Sequence, residues 1–144
     1  MASKRETVLA AVKVHVAAAL PGTDVKRNLA KAERIPPGGL VVIRDGDPGE
    51  PEVSLSPLTY LFSHRIPLEI AAYERATLTR EQVLDAMTDA IGAAVMANRT
   101  LGGLCDWIEA EAPVTDDIEA VGALPGRFAD LAILAVYATT DPLN

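Results

Sequence analysis

The chain has 144 residues, about half of them apolar but only six aromatic, so length and composition point to one domain with a core of Ala, Val, Leu and Ile. A net charge of −7 argues against a general nucleic-acid binder, which presents a basic face. The lone Cys105 excludes an internal disulfide and a Cys-rich metal site, and no apolar run of about 18 residues is there to span a membrane. Charge is uneven: residues 1–44 hold eight basic against three acidic side chains, and the remainder holds five against seventeen.

Ser3-Lys4-Arg5-Glu6 has the form of a capping box, in which serine and glutamate each satisfy the other's backbone N–H. Val8, Leu9, Val12, Val16, Ala19 and Leu20 then recur at helical spacing, which predicts an amphipathic helix over Lys4–Leu20, stopped by Pro21-Gly22. Lys13 and His15 interrupt its apolar run and set it apart from a secretory leader. His15 falls beside the stripe, as a boundary residue does. Asp24–Ala30 alternates weakly and reads as a short edge strand, guarded by Lys26 and Arg27. A turn at Arg34-Ile35-Pro36-Pro37-Gly38-Gly39 leads into Leu40-Val41-Val42-Ile43, a strand buried on both faces. Gly38-Gly39 precedes a strand, and no Gly-Lys-Ser/Thr follows, so it is not a phosphate loop.

The acidic stretch that follows carries Asp45, Asp47, Glu50 and Glu52 among Gly46, Pro48, Gly49 and Pro51. A calcium loop is ruled out by the two prolines and by the lack of glutamate at the twelfth place. The expectation is an exposed loop over Asp45–Ser56, ordered by a partner. Val53–Ser56 alternates and runs back along the sheet until Pro57. Tyr60–Ile70 then has a strict period of two: Tyr60, Phe62, Ile66, Leu68 and Ile70 on one phase, Ser63, Arg65 and Glu69 on the other. His64 is the exception on the apolar phase. Pro67 lacks an N–H and points to an edge strand or a bulge.

Thr79 and Gln82 repeat the capping signal. Val83, Leu84, Met87, Ile91, Ala94 and Val95 make a helical stripe over Arg80–Asn98, with Gln82, Asp85, Thr88 and Asp89 on the wet side. Cys105 and Trp107 have no paired histidine or second cysteine and read as packing residues. Trp107–Val121 alternates apolar and acidic residues and reads as one strand whose outer face carries Glu109 and Glu111, with Asp116 and Asp117 further on. Paired carboxylates serve acid/base chemistry only with an apolar surround, so these read as a solvated face. Phe128–Thr139 is apolar on both phases and closes the chain as an inner strand. The fold expectation is a single α+β domain: a mixed or antiparallel sheet of four to six strands with two amphipathic helices packed on it.

This order, with Pro36-Pro37-Gly38-Gly39-Leu40-Val41-Val42-Ile43, the alternating Phe62–Ile70, the helix Arg80–Asn98 and the closing strand Ala129–Thr139, resembles the tail terminator proteins of long-tailed phages, the group of the lambda minor tail protein U. The stretch Gly39–Gly49 also looks like prophage-encoded or gene-transfer-agent tail proteins. The resemblance implies a structural subunit without catalytic residues or cofactor. It implies a homo-oligomeric ring, a hexamer, at the head-proximal end of the tail tube. The ring stops tube polymerisation and meets the head-tail connector or stopper, and DNA slides through its lumen without specific binding. An acidic total suits such a conduit.

Two other readings stand beside it. A small enzyme, such as an acyl- or CoA-group transferase, needs a nucleophile with a positioned base. Neither His15 nor His64 has a Ser or Cys nucleophile motif beside it. A peptide-binding adaptor would use an exposed edge strand. For a ring, the most oppositely charged stretches are the expected contact: Lys26, Arg27 and Arg34 of one copy against Glu109, Glu111, Asp116 and Asp117 of the next.

Overall fold

The capping signals mark where two helices start. The computed structural model describes residues 2–30, 35–118 and 126–144. Helix α1 spans Lys4–Ala19, and the Ser3 hydroxyl accepts the Glu6 N–H at 3.1 Å. Only this half of the expected box forms, because the Glu6 carboxylate turns to Arg27 instead. Helix α2 spans Arg80–Ala97 and has the full box: Gln82 N–H donates to Thr79 Oγ1 at 3.2 Å, and Thr79 N–H to Gln82 Oε1 at 3.0 Å. Val8, Leu9, Val12 and Val16 of α1 and Val83, Leu84, Met87, Ile91 and Val95 of α2 are buried.

Seven strands are described: β1 (Asp24–Arg27), β2 (Leu40–Ile43), β3 (Glu52–Leu55), β4 (Leu58–Tyr73), β5 (Trp107–Ala110), β6 (Val114–Ile118) and β7 (Gly126–Thr139). They form one mixed sheet in the order β1-β2-β4-β7-β5, with β3 on β4 and β6 on β7; only β1–β2 is parallel. The chain is a single α+β domain, and both helices share one core cluster with one face of the sheet. That face takes the even residues of β4 and the odd residues of β7, so neither described helix lies over the other face.

The sheet exceeds the expected four to six strands for two reasons. The Glu52–Leu55 segment pairs fully with the start of β4. The expected single strand from Trp107 is broken: between Ala110↔Ile133 and Val114↔Asp130, three residues of one strand face two of β7. The extra residue, in a stretch containing Pro113, makes a bulge and exchanges the two faces from there on. Val114, inward by simple alternation, is thereby turned out and is exposed.

Pro67 also departs from expectation. It lies in an inner strand, paired with β7 from Tyr60 to Tyr73. Its carbonyl accepts the Arg44 N–H at 2.9 Å, so its bonding side faces β2, and β2 ends one residue earlier at Ile43. Proline cannot return the reciprocal N–H bond to Arg44, and the β2–β4 pairing ends at that point. Gly46 closes over this gap with φ +66; a Cβ there would collide with the Arg65 carbonyl and lie 2.7 Å from Pro67 Cδ.

Candidate functional site

The one polar side chain on the apolar phase of β4, His64, is fully buried and satisfied at both ring nitrogens. Nε2 lies 2.6 Å from the Asp45 carbonyl, and Nδ1 lies 2.9 Å from the Tyr137 hydroxyl. A carbonyl only accepts, so Nε2 carries the proton and Nδ1 accepts from Tyr137. Burial lowers the His64 pKa and pushes the Tyr137 hydroxyl up to about 12, so the imidazole stays neutral and the phenol stays a donor. This triad joins β4, β7 and the acidic loop. It has no solvent-facing nucleophile, and its parts are all engaged with each other. Cys105 is buried as well, and burial pushes its thiol up to about 11, which leaves it protonated and inert at neutral pH.

The same Asp45 holds the β1 edge. Its carboxylate accepts from Arg27 Nε at 3.0 Å, Arg27 Nη2 at 2.9 Å and Asn28 Nδ2 at 2.9 Å. Arg27 also grips Glu6 at the start of α1 with two bonds, at 2.6 and 2.8 Å. The hydrogen bond from Arg27 lowers the Glu6 pKa. Burial acts to raise Asp45, but the bonds from Asn28 and Arg27 outweigh it and hold the carboxyl low. Arg27, expected to face another copy, is therefore engaged inside its own subunit. Its register partner Ile43 is in the core cluster, so it points to the helix side, whereas Lys26 opposite Val42 points to the open face.

At the far edge the bulge sorts the acids. Glu109 and Glu111 stand on the open face, where Glu111 Oε2 meets Arg65 Nη2 at 2.9 Å. After the bulge, Asp116 stays on the open face, opposite Phe128. Asp117 swings to the helix side and meets Arg127 at 2.7 Å and Arg80, in the first turn of α2, at 3.3 Å. Glu109 and Asp116 are exposed. Arg34 lies outside the described residues. In the acidic loop the Asp47 carboxylate caps Gly49 N–H at 2.8 Å and the Asp47 backbone pairs antiparallel with that of Arg65, while Glu50 and Glu52 are exposed.

The structure thus does not gather the predicted charged residues into one site. It puts Lys26 and Arg27 on one side and Glu109, Asp116 and Asp117 on the other, at the two opposite edges of one sheet, five strands wide and so about 19 Å apart. Among the described residues no three His, Cys, Asp or Glu side chains come together as metal ligands. No described helix is long and apolar enough to cross a membrane. No protein-family model matches the chain, and no curated protein matches it. The His64–Tyr137–Asp45 triad was missed by sequence reasoning. Its only signal was a histidine in an apolar phase, and its partners lie 73 and 19 residues away.

Proposed function

We propose that this chain is a structural subunit of a long-tailed phage particle. Copies join head to tail into a ring at the head-proximal end of the tail tube, where the ring ends tube growth and meets the connector. The observation that carries the reading is the pair of unlike outer edges of the described sheet. On the open face, β1 ends the sheet with Lys26, and β5–β6 end it on the opposite side with Glu109 and Asp116. Surfaces that differ and lie on opposite sides suit a heterologous contact, which closes into a ring when the rotation allows. A two-fold dimer would instead need one patch that complements itself. The six-fold number comes from the resemblance alone.

The test is assembly of the purified tube protein with and without this chain, read by negative-stain electron microscopy. The reading predicts rings at one end of each tube and tubes that stop growing once capped. Tubes that lengthen equally and carry no ring contradict it.

A further inference from the structure

The ribbon made by β3 and the first residues of β4 overhangs the rest of the sheet, since β7 pairs with β4 only from Tyr60 onward. Its cross-strand pairs, Leu55–Leu58 and Val53–Tyr60, put four apolar side chains on one face. That face is the helix-side face of β4, because Tyr60 is in phase with Phe62 and Ile66. The helices stop short of it: Val53 is 52%, Leu55 80% and Leu58 46% exposed. A two-stranded ribbon is marginal on its own in water, and a contiguous apolar face at its tip marks a contact.

The complementary surface lies on the helix layer. Ala10, Val14 and Ala18 recur every four residues on the outside of α1 and, with Leu101 beyond α2, line a groove of about 400 Å³; Val14 is 70% exposed. Small side chains leave a trough into which leucine and valine fit. The charges match too. Residues 45–60 carry four acids and no base, whereas α1 carries Lys4, Arg5 and Lys13 against Glu6.

We propose that the apolar face of the β3–β4 ribbon of one copy seats in the α1 groove of the next copy. This contact rests on the head-to-tail reading above and supplies the apolar centre that exposed ion pairs, worth about 0–1 kcal/mol each, do not. It also gives the exposed Glu50 and Glu52 a basic surface to meet.

Directed cross-linking tests it. In a Cys105→Ala background, Leu55→Cys and Val14→Cys proteins are mixed under a mild oxidant such as copper phenanthroline, and mass is followed by light scattering. The expected product is the mixed 55–14 disulfide, in excess over the 55–55 and 14–14 products. Leu55→Ser and Val14→Glu should each raise the protein concentration needed for assembly by at least about tenfold. Both sites are exposed, so the unfolding midpoint should not change. If the wild type assembles but the mixed cross-link is absent or no more abundant than the others, this contact is wrong and the ring reading survives. If the wild type stays at its single-chain 15.2 kDa at every concentration and no cross-link forms, both fall.

Discussion

Replacing Tyr137 by Phe should destabilise the subunit through His64. The ring of Tyr137 packs at 5.9 Å from Phe62, and phenylalanine keeps that packing. Only the hydroxyl goes. It is the donor to His64 Nδ1 at 2.9 Å, in a place where His64 is 0% and Tyr137 1% exposed. Among the described residues no second donor reaches Nδ1, and Nε2 is engaged with the Asp45 carbonyl. Leaving one buried acceptor unpaired costs about 1–3 kcal/mol. In a domain of this size that lowers the melting temperature by roughly 2–12 °C. Urea unfolding of wild type, Tyr137→Phe, His64→Leu and the double variant closes a thermodynamic cycle. The double variant should lose less than the sum of the singles, by about 1 kcal/mol. A loss below about 0.5 kcal/mol for Tyr137→Phe, or strict additivity, refutes the bonding pattern and the tautomer assigned from it.

Acid should weaken the fold in two stages. Burial lowers the His64 pKa, so the unfolded chain binds a proton near the ordinary value of 6.5 before the folded one does, and stability falls as pH drops below that value. Glu6 and Asp45 also have lowered pKa values, and the stability they add above the ordinary carboxylate range is lost as pH falls through their folded values. A urea midpoint that stays constant from pH 8 to pH 4 contradicts this. Gly102→Ala, at φ +70 with open space around it, should cost only the roughly 1–2 kcal/mol of the left-handed backbone, whereas Gly46→Ala, also at positive φ, should cost more because its side chain collides with the Arg65 carbonyl; equal unfolding midpoints for the two variants contradict this. Arg27→Glu should lower the unfolding midpoint, because it sets a third acid against Glu6 and Asp45. Glu109→Lys and Asp116→Lys should leave that midpoint unchanged and weaken assembly, read by light scattering.

The fold was legible where local rules decide it. The caps at Ser3 and Thr79 and the apolar stripes behind them place both helices. The alternation from Tyr60 to Ile70 gives the inner face of β4 correctly, including the buried phase on which His64 sits. What the sequence hid was register. One extra residue between Ala110 and Val114 exchanges the faces of the acidic strand, and alternation counted from Ile108 therefore misplaces Val114 and Asp117. Pro67 is read as an edge residue because its neighbour's end point is a long-range fact. Arg27 looks free along the chain, yet Glu6 and Asp45 reach it from 21 and 18 residues away.

The ring itself is tested most directly by sedimentation velocity and native mass spectrometry of the wild type over a wide concentration range. The account predicts one closed species, a fixed multiple of 15.2 kDa greater than two, in equilibrium with the single chain and weakened by salt. A two-fold dimer as the end state, or a single chain at every concentration and salt, contradicts it.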